Sequence, residues 1–224
     1  MVKLFVCNLL LLFASVAYAS PIEANSFLVS VQGTGGDVIC VGALISEDIV
    51  VTTAQCLAFY DVSQLVVAVN NRDVEIPIAA SGFDAKFDFV TMEDNVAVLK
   101  LAKPVKADYI QLAQEQPATG ANGVVYSWGE GNSVVNVPVS LISQDECASG
   151  KYGYDDDEVL DTMLCGLVEN SQSCVGRFGS PVVSGNKLVG LTSWGGCGNN
   201  GKPAVFTDIP SLRPWIDQFI KSLN

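Results

Sequence analysis

The chain has 224 residues, with 24 acidic side chains against 12 basic ones and a formal net charge of −12 at pH 7. A protein this acidic is poorly suited to bind nucleic acid or an anionic membrane surface, so we expect neither as a partner. The chain also contains no histidine. It therefore lacks the only side chain whose unperturbed pKa lies near neutral pH.

The N-terminal residues have the pattern of a secretory signal. Lys3 supplies the positive charge, Leu4 to Ala14 is almost wholly apolar, and Ala17-Tyr18-Ala19 is a small-x-small cleavage site before Ser20. The apolar run is too short to span a bilayer. We predict a signal peptide over residues 1–19, one domain over residues 20–224, and a secreted, extracellular protein.

The cysteine count agrees with secretion. Cys7 lies in the signal segment, which leaves six cysteines, and an even number in a secreted chain predicts three disulfides. The count alone allows fifteen pairings. We expect no zinc, other metal or cofactor, since the chain has no histidine and no Cys-x-x-Cys pair. The six are Cys40, Cys56, Cys147, Cys165, Cys174 and Cys197.

Short apolar segments rich in Val and Ile, separated by turn residues, predict a succession of strands. Asn70-Asn71-Arg72 predicts a hairpin turn, and Ala102 to Gly120 predicts a connector between two halves. The predicted strands are Phe27 to Gln32, Val38 to Ile45, Ile49 to Ala54, Leu65 to Val69, Asp73 to Pro77, Val96 to Leu101, Gly123 to Trp128, Val134 to Ile142, Pro181 to Val183, Lys187 to Trp194 and Ala204 to Asp208.

The last segment has helical periodicity, with Pro214 placed in the first turn. Many short strands followed by one terminal helix predict an all-β domain, either paired antiparallel barrels or a sandwich. The acidic run Asp155 to Glu158 lacks the ligand spacing of a calcium loop and is interpreted as a solvated surface loop. The apolar side chains on one face of the helix are Trp215, Ile216, Phe219, Ile220 and Leu223.

Four segments resemble the trypsin/chymotrypsin family of serine proteases, and they occur in the family's order. Thr52-Thr53-Ala54-Gln55-Cys56 resembles the stretch that carries the catalytic His, and Asn95 to Leu101 is similar to the strand that opens with the catalytic Asp. Cys174 to Pro181 resembles the nucleophile loop. Thr192 to Gly195, with Lys202 to Thr207, is similar to the wall of the specificity pocket.

The resemblance implies a fold and a disulfide pattern. The fold is two six-stranded antiparallel Greek-key β-barrels with a C-terminal α-helix. The implied disulfides are Cys40–Cys56, Cys147–Cys165 and Cys174–Cys197, which use all six cysteines.

The residues at the three catalytic positions depart from the family. Gln55 stands at the His position, Asn95 at the Asp position and Phe178 at the serine position. A carboxamide cannot take a proton from a nucleophile, and a phenyl ring is not a nucleophile. The resemblance therefore implies a fold without the catalytic triad.

A few other residues lie where a substitute nucleophile, base or oxyanion donor could stand. Ser180 is the nearest hydroxyl, but it has no base to activate it. Gly176 could still offer an oxyanion donor, although the Phe178 ring should crowd that place. Asp94 and Glu93 are candidate bases for water, with Asp94 expected to point away from the site.

Two further departures concern activation and binding. Arg177 replaces the Asp that pairs with the new N-terminus in active family members, so we expect its side chain to face solvent or a carboxylate. Ser193, Trp194 and Gly195 match the edge that binds peptide, and Gln172 stands at the base of the specificity pocket, whose wall carries Ala204.

The sequence therefore predicts a secreted, catalytically inactive serine protease homologue that acts by binding a protein: a protease, an inhibitor or a peptide. Such a protein would be a cofactor, regulator or decoy in an extracellular proteolytic pathway. The alternatives are a serine-type endopeptidase with non-standard residual activity and a structural or storage protein.

Overall fold

The computed structural model describes residues 26–69, 74–129, 133–168, 175–196 and 201–223. The predicted signal segment, the turn at Asn70-Asn71-Arg72, Gln172, Cys174 and Cys197 lie outside these ranges. No helix in the described part of the chain is long and apolar enough to cross a membrane.

Six antiparallel strands in the first half close into a barrel. Their order is β1-β2-β3-β6-β5-β4, so β4 returns to lie beside β1 in a Greek-key arrangement. Inward-facing aliphatic side chains such as Val29, Val67 and Leu99 fill the interior, because alternate residues of a strand face the same side. The strands are β1 (Leu28–Gly33), β2 (Val38–Leu44), β3 (Ile49–Thr52), β4 (Leu65–Val69), β5 (Val74–Phe83) and β6 (Ala97–Leu101).

The second half forms a sheet in the order β11-β8-β9-β10-β13-β12-β7, and pairing between β11 and β12 closes six of its strands into a second barrel. Phe206, fully buried, packs with Leu141 and Val182 in its interior. The strands are β7 (Gln111–Leu112), β8 (Asn122–Trp128), β9 (Val134–Ile142), β10 (Met163–Leu167), β11 (Pro181–Ser184), β12 (Lys187–Gly195) and β13 (Ala204–Asp208).

The fold class is therefore confirmed: two six-stranded antiparallel barrels followed by a helix, and not a sandwich. Three short elements were not predicted. β10 follows an acidic loop and lacks a run of β-branched residues, β7 adds only two residues in parallel to β12, and helix α1 (Gln144–Cys147) is a single turn.

Helix α2 spans Ile209–Ser222 and begins earlier than predicted. Pro210 lies in the first turn, whereas Pro214 lies inside the helix. The prediction failed because Ile209 and Leu212 supply buried contacts that extend the apolar face by a turn beyond Trp215. This face packs between the two barrels, against Val98 of β6 and Leu191 of β12.

Two disulfides lie within the described residues, Cys40–Cys56 and Cys147–Cys165. Both are pairs that the resemblance implies. The first joins β2 to the short 3₁₀ turn Ala54–Cys56, and the second joins α1 to β10. The Cys40–Cys56 bond thus fixes the segment that carries Gln55 to the wall of the first barrel.

Asp208, at the end of β13, is a buried carboxyl with incomplete hydrogen bonding. Its Oδ2 accepts from Ser211 Oγ and from Gln116 Nε2, while Oδ1 has no partner among the described residues. Burial raises the pKa of this carboxyl from 3.8 to about 6, and the bonds from Ser211 and Gln116 offset part of that rise.

The Asp208 pKa predicts a pH-dependent stability. The folded protein holds the Asp208 proton more tightly than the unfolded chain does. The ionised Asp208 carboxylate therefore does not destabilise the folded state at pH values below the unfolded pKa, and it destabilises that state increasingly as pH rises toward about 6. We expect the free energy of unfolding of Asp208→Asn, relative to wild type, to increase by about 3 kcal/mol between acidic and neutral pH. Urea unfolding at several pH values measures this, and a difference that does not change with pH would contradict it.

Candidate binding cleft

Gln55 lies in the 3₁₀ turn Ala54–Cys56 and is nearly buried. Its backbone N–H donates to Asn95 Oδ1 at 3.0 Å, and its side-chain Nε2 donates to the carbonyl oxygen of Ser193 at 3.1 Å. The side chain therefore contacts the second barrel across the cleft. As a carboxamide it donates a hydrogen bond but cannot act as a general base.

Asn95, which precedes β6, is also buried and completes this contact. Its Nδ2 donates to Ser193 Oγ at 2.8 Å, and its backbone carbonyl accepts from Thr207 Oγ1 at 2.8 Å. We call Gln55, Asn95 and Ser193 the amide network. Both amide side chains are neutral, so burial of the network does not carry the desolvation cost of an isolated charge.

Phe178 occupies the loop that precedes β11 and is 53% exposed. Its side chain has no nucleophilic atom. Its backbone carbonyl accepts from the N–H of Val41 at 2.9 Å, which holds the loop against β2 of the first barrel. A cavity of about 440 Å³ opens beside the ring, lined by Ile39, Val175, Gly176, Arg177, Phe178, Thr192, Trp194 and Gly195.

Ser180, the nearest hydroxyl in this loop, is fully buried. Its Oγ donates to Ser127 Oγ at 2.8 Å and accepts from the backbone N–H of Arg177 at 3.1 Å. Because the hydroxyl is enclosed and has no basic partner among these contacts, its role here is to shape the loop.

Asp94 precedes Asn95 but belongs to a different environment. Its φ is +51°, and its backbone N–H donates to Thr162 Oγ1 at 3.0 Å. Burial, and then the nearby Asp84 carboxylate, raise the pKa of Asp94, while Lys86 opposes this. The charges that act on Asp94 therefore lie in its own loop and not in the amide network.

Arg177 is exposed at the side of the cavity. Its Nε donates to the carbonyl of Trp128 at 3.2 Å, and its backbone N–H donates to Ser127 Oγ at 3.0 Å. This arrangement agrees with the first of the two expectations for Arg177, a side chain directed toward solvent.

The segment Ser193 to Gly195 ends β12 beside the cavity. Trp194 and Gly195 pair with Val205 and Ala204 of β13 on one side. On the other side, this end of β12 pairs with no strand among the described residues. The Ser193 carbonyl in this segment already accepts from Gln55.

Two contributors to the cleft were not predicted from the sequence. Ile39 lines the cavity from the first barrel, and its position next to Cys40 was the available signal. The Ser193 hydroxyl contacts Asn95, whereas the sequence suggested only a backbone role for this residue. Within the described residues, no group of three or more Cys, Asp or Glu side chains is arranged to hold a metal ion.

Comparison with protein families gives a match to the model described as Trypsin over residues 17–216. The chain is 37% identical to a trypsin of Sarcophaga bullata over 221 residues, covering 90% of this chain and 87% of that protein. It is 36% identical to trypsin theta of Drosophila erecta over 214 residues, covering 87% and 81%.

Solved structures give the same architecture. Kallikrein-related peptidase 10, in a complex with Zn²⁺, superposes with a TM-score of 0.76 at 26% identity, covering 89% of this chain and 97% of that one. The scabies mite inactivated protease paralogue S-I1 gives a TM-score of 0.74 at 24% identity, covering 88% and 95%, which is a likeness of fold.

Proposed function

This chain belongs to the trypsin family, and from that membership we propose that it is a secreted, catalytically inactive homologue that acts by binding a protein. The observation that carries the proposal is Phe178, which the resemblance puts at the family's serine position and whose exposed ring lines the cavity of the cleft. The partner is proposed to be a protease, an inhibitor or a peptide segment of either, because these are the molecules that bind to the surface of a protease.

The amide network supports the loss of catalysis. The family's mechanism requires a base that takes a proton from the serine and a carboxylate that orients the base. Gln55 and Asn95 instead form neutral hydrogen bonds with each other and with Ser193. The residues at all three catalytic positions are changed, and Gln55 and Asn95 hydrogen-bond to each other. This pattern favours a cleft that does not use the family's chemistry over an enzyme that has lost one catalytic residue.

The cleft also supports retained binding. Ser193, Trp194 and Gly195 provide an open strand edge, to which an extended peptide could add main-chain hydrogen bonds. The cavity beside Phe178 and Ile39 has a mainly apolar lining and could accept a side chain of that peptide. Gln172, which the resemblance puts at the base of the specificity pocket, is proposed to belong to the same peptide-binding surface.

Secretion is the remaining part of the proposal. The signal pattern of residues 1–19 suggests export, and the two disulfides are typical of an oxidising extracellular compartment. The third pair, Cys174–Cys197, is proposed to complete the set.

A non-standard endopeptidase is the second candidate, because relatives of 36–37% identity are named trypsins. The buried Ser180 and the separate environment of Asp94 weigh against it, since neither presents a reactive group in the cleft.

Capture from native extracellular fluid tests the proposal. We expect the immobilised protein to retain one or more proteins that are recovered uncleaved, whereas beads carrying the reduced and alkylated chain retain none. Mass spectrometry of the termini of retained proteins distinguishes the candidates. New termini produced by the purified chain would favour the endopeptidase, and no specific retention would favour a structural role.

A further inference from the structure

Four phenylalanines form a continuous line on two segments that flank the amide network. The ring centroids of Phe59 and Phe89 are 4.7 Å apart, those of Phe89 and Phe87 are 6.2 Å apart, and those of Phe87 and Phe83 are 6.0 Å apart. Each pair meets edge to face, the arrangement that aromatic quadrupoles favour. We call these four residues the aromatic row.

The aromatic row lies at the surface. Phe59 is 69% exposed, Phe89 46% and Phe83 42%, and the adjoining Val90 is 91% exposed. Single exposed apolar residues are ordinary, but a contiguous exposed group is a mark of an interaction site. None of the four lines the cavity beside Phe178, so the row is a surface separate from that cavity.

The loop that presents Phe87 and Phe89 is held in place before any partner arrives. The Asp88 carboxylate accepts from the backbone N–H groups of Val90 at 2.7 Å and Thr91 at 3.1 Å, and the Asp88 carbonyl accepts from the N–H of Met92 at 2.7 Å. A partner would therefore lose little conformational freedom of this loop on binding.

The same loop contains unusual backbone conformations. Met92 has φ +61° and Asp94 has φ +51°, a region that residues other than glycine rarely occupy. Such strained positions tend to occur where a loop has to present particular side chains.

The charges around the aromatic row are predominantly negative. The two segments 57–63 and 83–95 contain five carboxylates and one cation, Lys86. Backbone N–H donors lower the pKa of Asp61, chiefly from Ser63, and of Asp88, chiefly from Thr91, so both are ionised at neutral pH. The carboxylates are Asp61, Asp84, Asp88, Glu93 and Asp94.

We infer that the aromatic row is a docking surface for a polypeptide segment that carries both apolar and Arg or Lys side chains. Apolar groups would cover the Phe rings, and the cations would pair with the surrounding carboxylates or stack on ring faces. This inference rests on the proposed function, since it names the kind of protein that the inactive homologue binds.

Charge selects this occupant over the alternatives. A second copy of the chain would bring the same carboxylates into contact with these, which is repulsive. An anionic lipid surface would be repelled for the same reason. A polypeptide segment with Arg or Lys side chains is the partner whose charge complements this surface.

Binding of short peptides to the intact protein tests the inference. The probe is a fluorescein-labelled peptide that alternates Arg and Leu, and the control probes alternate Glu with Leu or Arg with Ser. We expect binding of the Arg-Leu peptide alone, measured by fluorescence anisotropy, and weaker binding at high salt. No binding of the Arg-Leu peptide, or equal binding of the Glu-Leu peptide, would overturn the inference.

Two pairs of substitutions locate the binding. Phe59→Ser with Phe89→Ser should weaken binding at least about tenfold. Val134→Ser with Val135→Ser, on a different exposed strand, should leave it unchanged; these two valines are 38% and 39% exposed. Equal binding by both double variants would overturn the inference, and thermal unfolding of each variant checks that it is folded.

A charge variant provides a measurement that does not depend on the rings. Asp88→Asn keeps an oxygen for the N–H groups of Val90 and Thr91, and Glu93→Gln removes a second charge. We expect the double variant to bind the Arg-Leu peptide several-fold more weakly and with a smaller dependence on salt. An unchanged salt dependence would contradict the assigned role of these carboxylates.

Failure of this inference can be distinguished from failure of the proposed function. If Phe59→Ser with Phe89→Ser retains the same extracellular proteins as wild type, binding occurs elsewhere and only the docking surface is wrong. If the wild-type chain retains nothing, the binding function itself is wrong. Concentration-dependent dimers that are lost in the Phe variant would identify a second copy as the occupant and overturn the inference.

Discussion

Phe178→Ser combined with Gln55→His and Asn95→Asp should create a reactive serine, whereas Gln55→His alone should not. A fluorophosphonate reacts with a serine whose proton is taken by a neighbouring base, and the base in turn needs an orienting carboxylate. We expect the triple variant to be labelled at least about a hundredfold faster than Phe178→Ser alone. Intact mass measured over time gives the rate.

The single and double variants are the controls for this experiment. Gln55→His and Asn95→Asp, alone or together, leave no nucleophile in the loop and should remain unlabelled. If Phe178→Ser alone reacted as fast as the triple variant, another group in the cleft would be acting as a base. The proposal that the amides at positions 55 and 95 leave a serine at position 178 without an activating base would then be wrong.

Gly179→Ala should destabilise the protein strongly, because the loop after Phe178 lies directly against the first barrel. Gly179 has φ +77°, and an added Cβ would lie 2.1 Å from the carbonyl oxygen of Val41 and 2.6 Å from Thr52 Oγ1. The strained backbone and the steric clash each cost about 1–3 kcal/mol. We expect the free energy of unfolding to fall by about 3 kcal/mol or more in guanidinium unfolding.

Gly185→Ala separates the two causes. Gly185 also has a positive φ, +55°, but nothing lies within 4 Å of an added Cβ in the turn between β11 and β12. This variant should lose only about 1 kcal/mol, the cost of the backbone conformation. Equal losses of stability in the two variants would mean that the steric clash with β2 adds nothing to the cost of the backbone conformation.

Most of the barrel strands could be predicted from sequence, because their alternation and turns are local signals. β4, β9 and β13 have the predicted bounds, and most other predicted strands differ by one or two residues at an end. β5 continues to Phe83, beyond the predicted end at Pro77, because Ser81 to Phe83 pair with β6 residues distant in sequence. Long-range pairing of this kind has no local signal.

The candidate site also has a part that could be predicted from the sequence and a part that could not. Gln55, Asn95 and Phe178 could be located from flanking motifs, but their contacts could not. The hydrogen bonds from Gln55 and Asn95 to Ser193 span sequence separations of 138 and 98 residues. The aromatic row was also missed, since the spacing of these residues does not reveal that Phe59, Phe83 and Phe89 remain exposed in the folded protein.

In the proposed function, the two barrels have a role that does not depend on turnover. Gln55 and Asn95, both with neutral side chains, donate hydrogen bonds to Ser193 of the second barrel and so connect the two walls of the cleft. In the proposals above, the edge of β12 and the aromatic row are two separate surfaces that a protein partner would contact.

Labelling of the purified wild-type protein by a fluorophosphonate, with an active trypsin treated in parallel, tests whether the chain has an activated serine. We expect the trypsin to be modified to completion while the mass of this chain does not change, even after prolonged incubation. Stoichiometric modification of a serine in the wild-type chain, abolished by unfolding, would show an activated nucleophile and contradict the claim that the chain acts without catalysis.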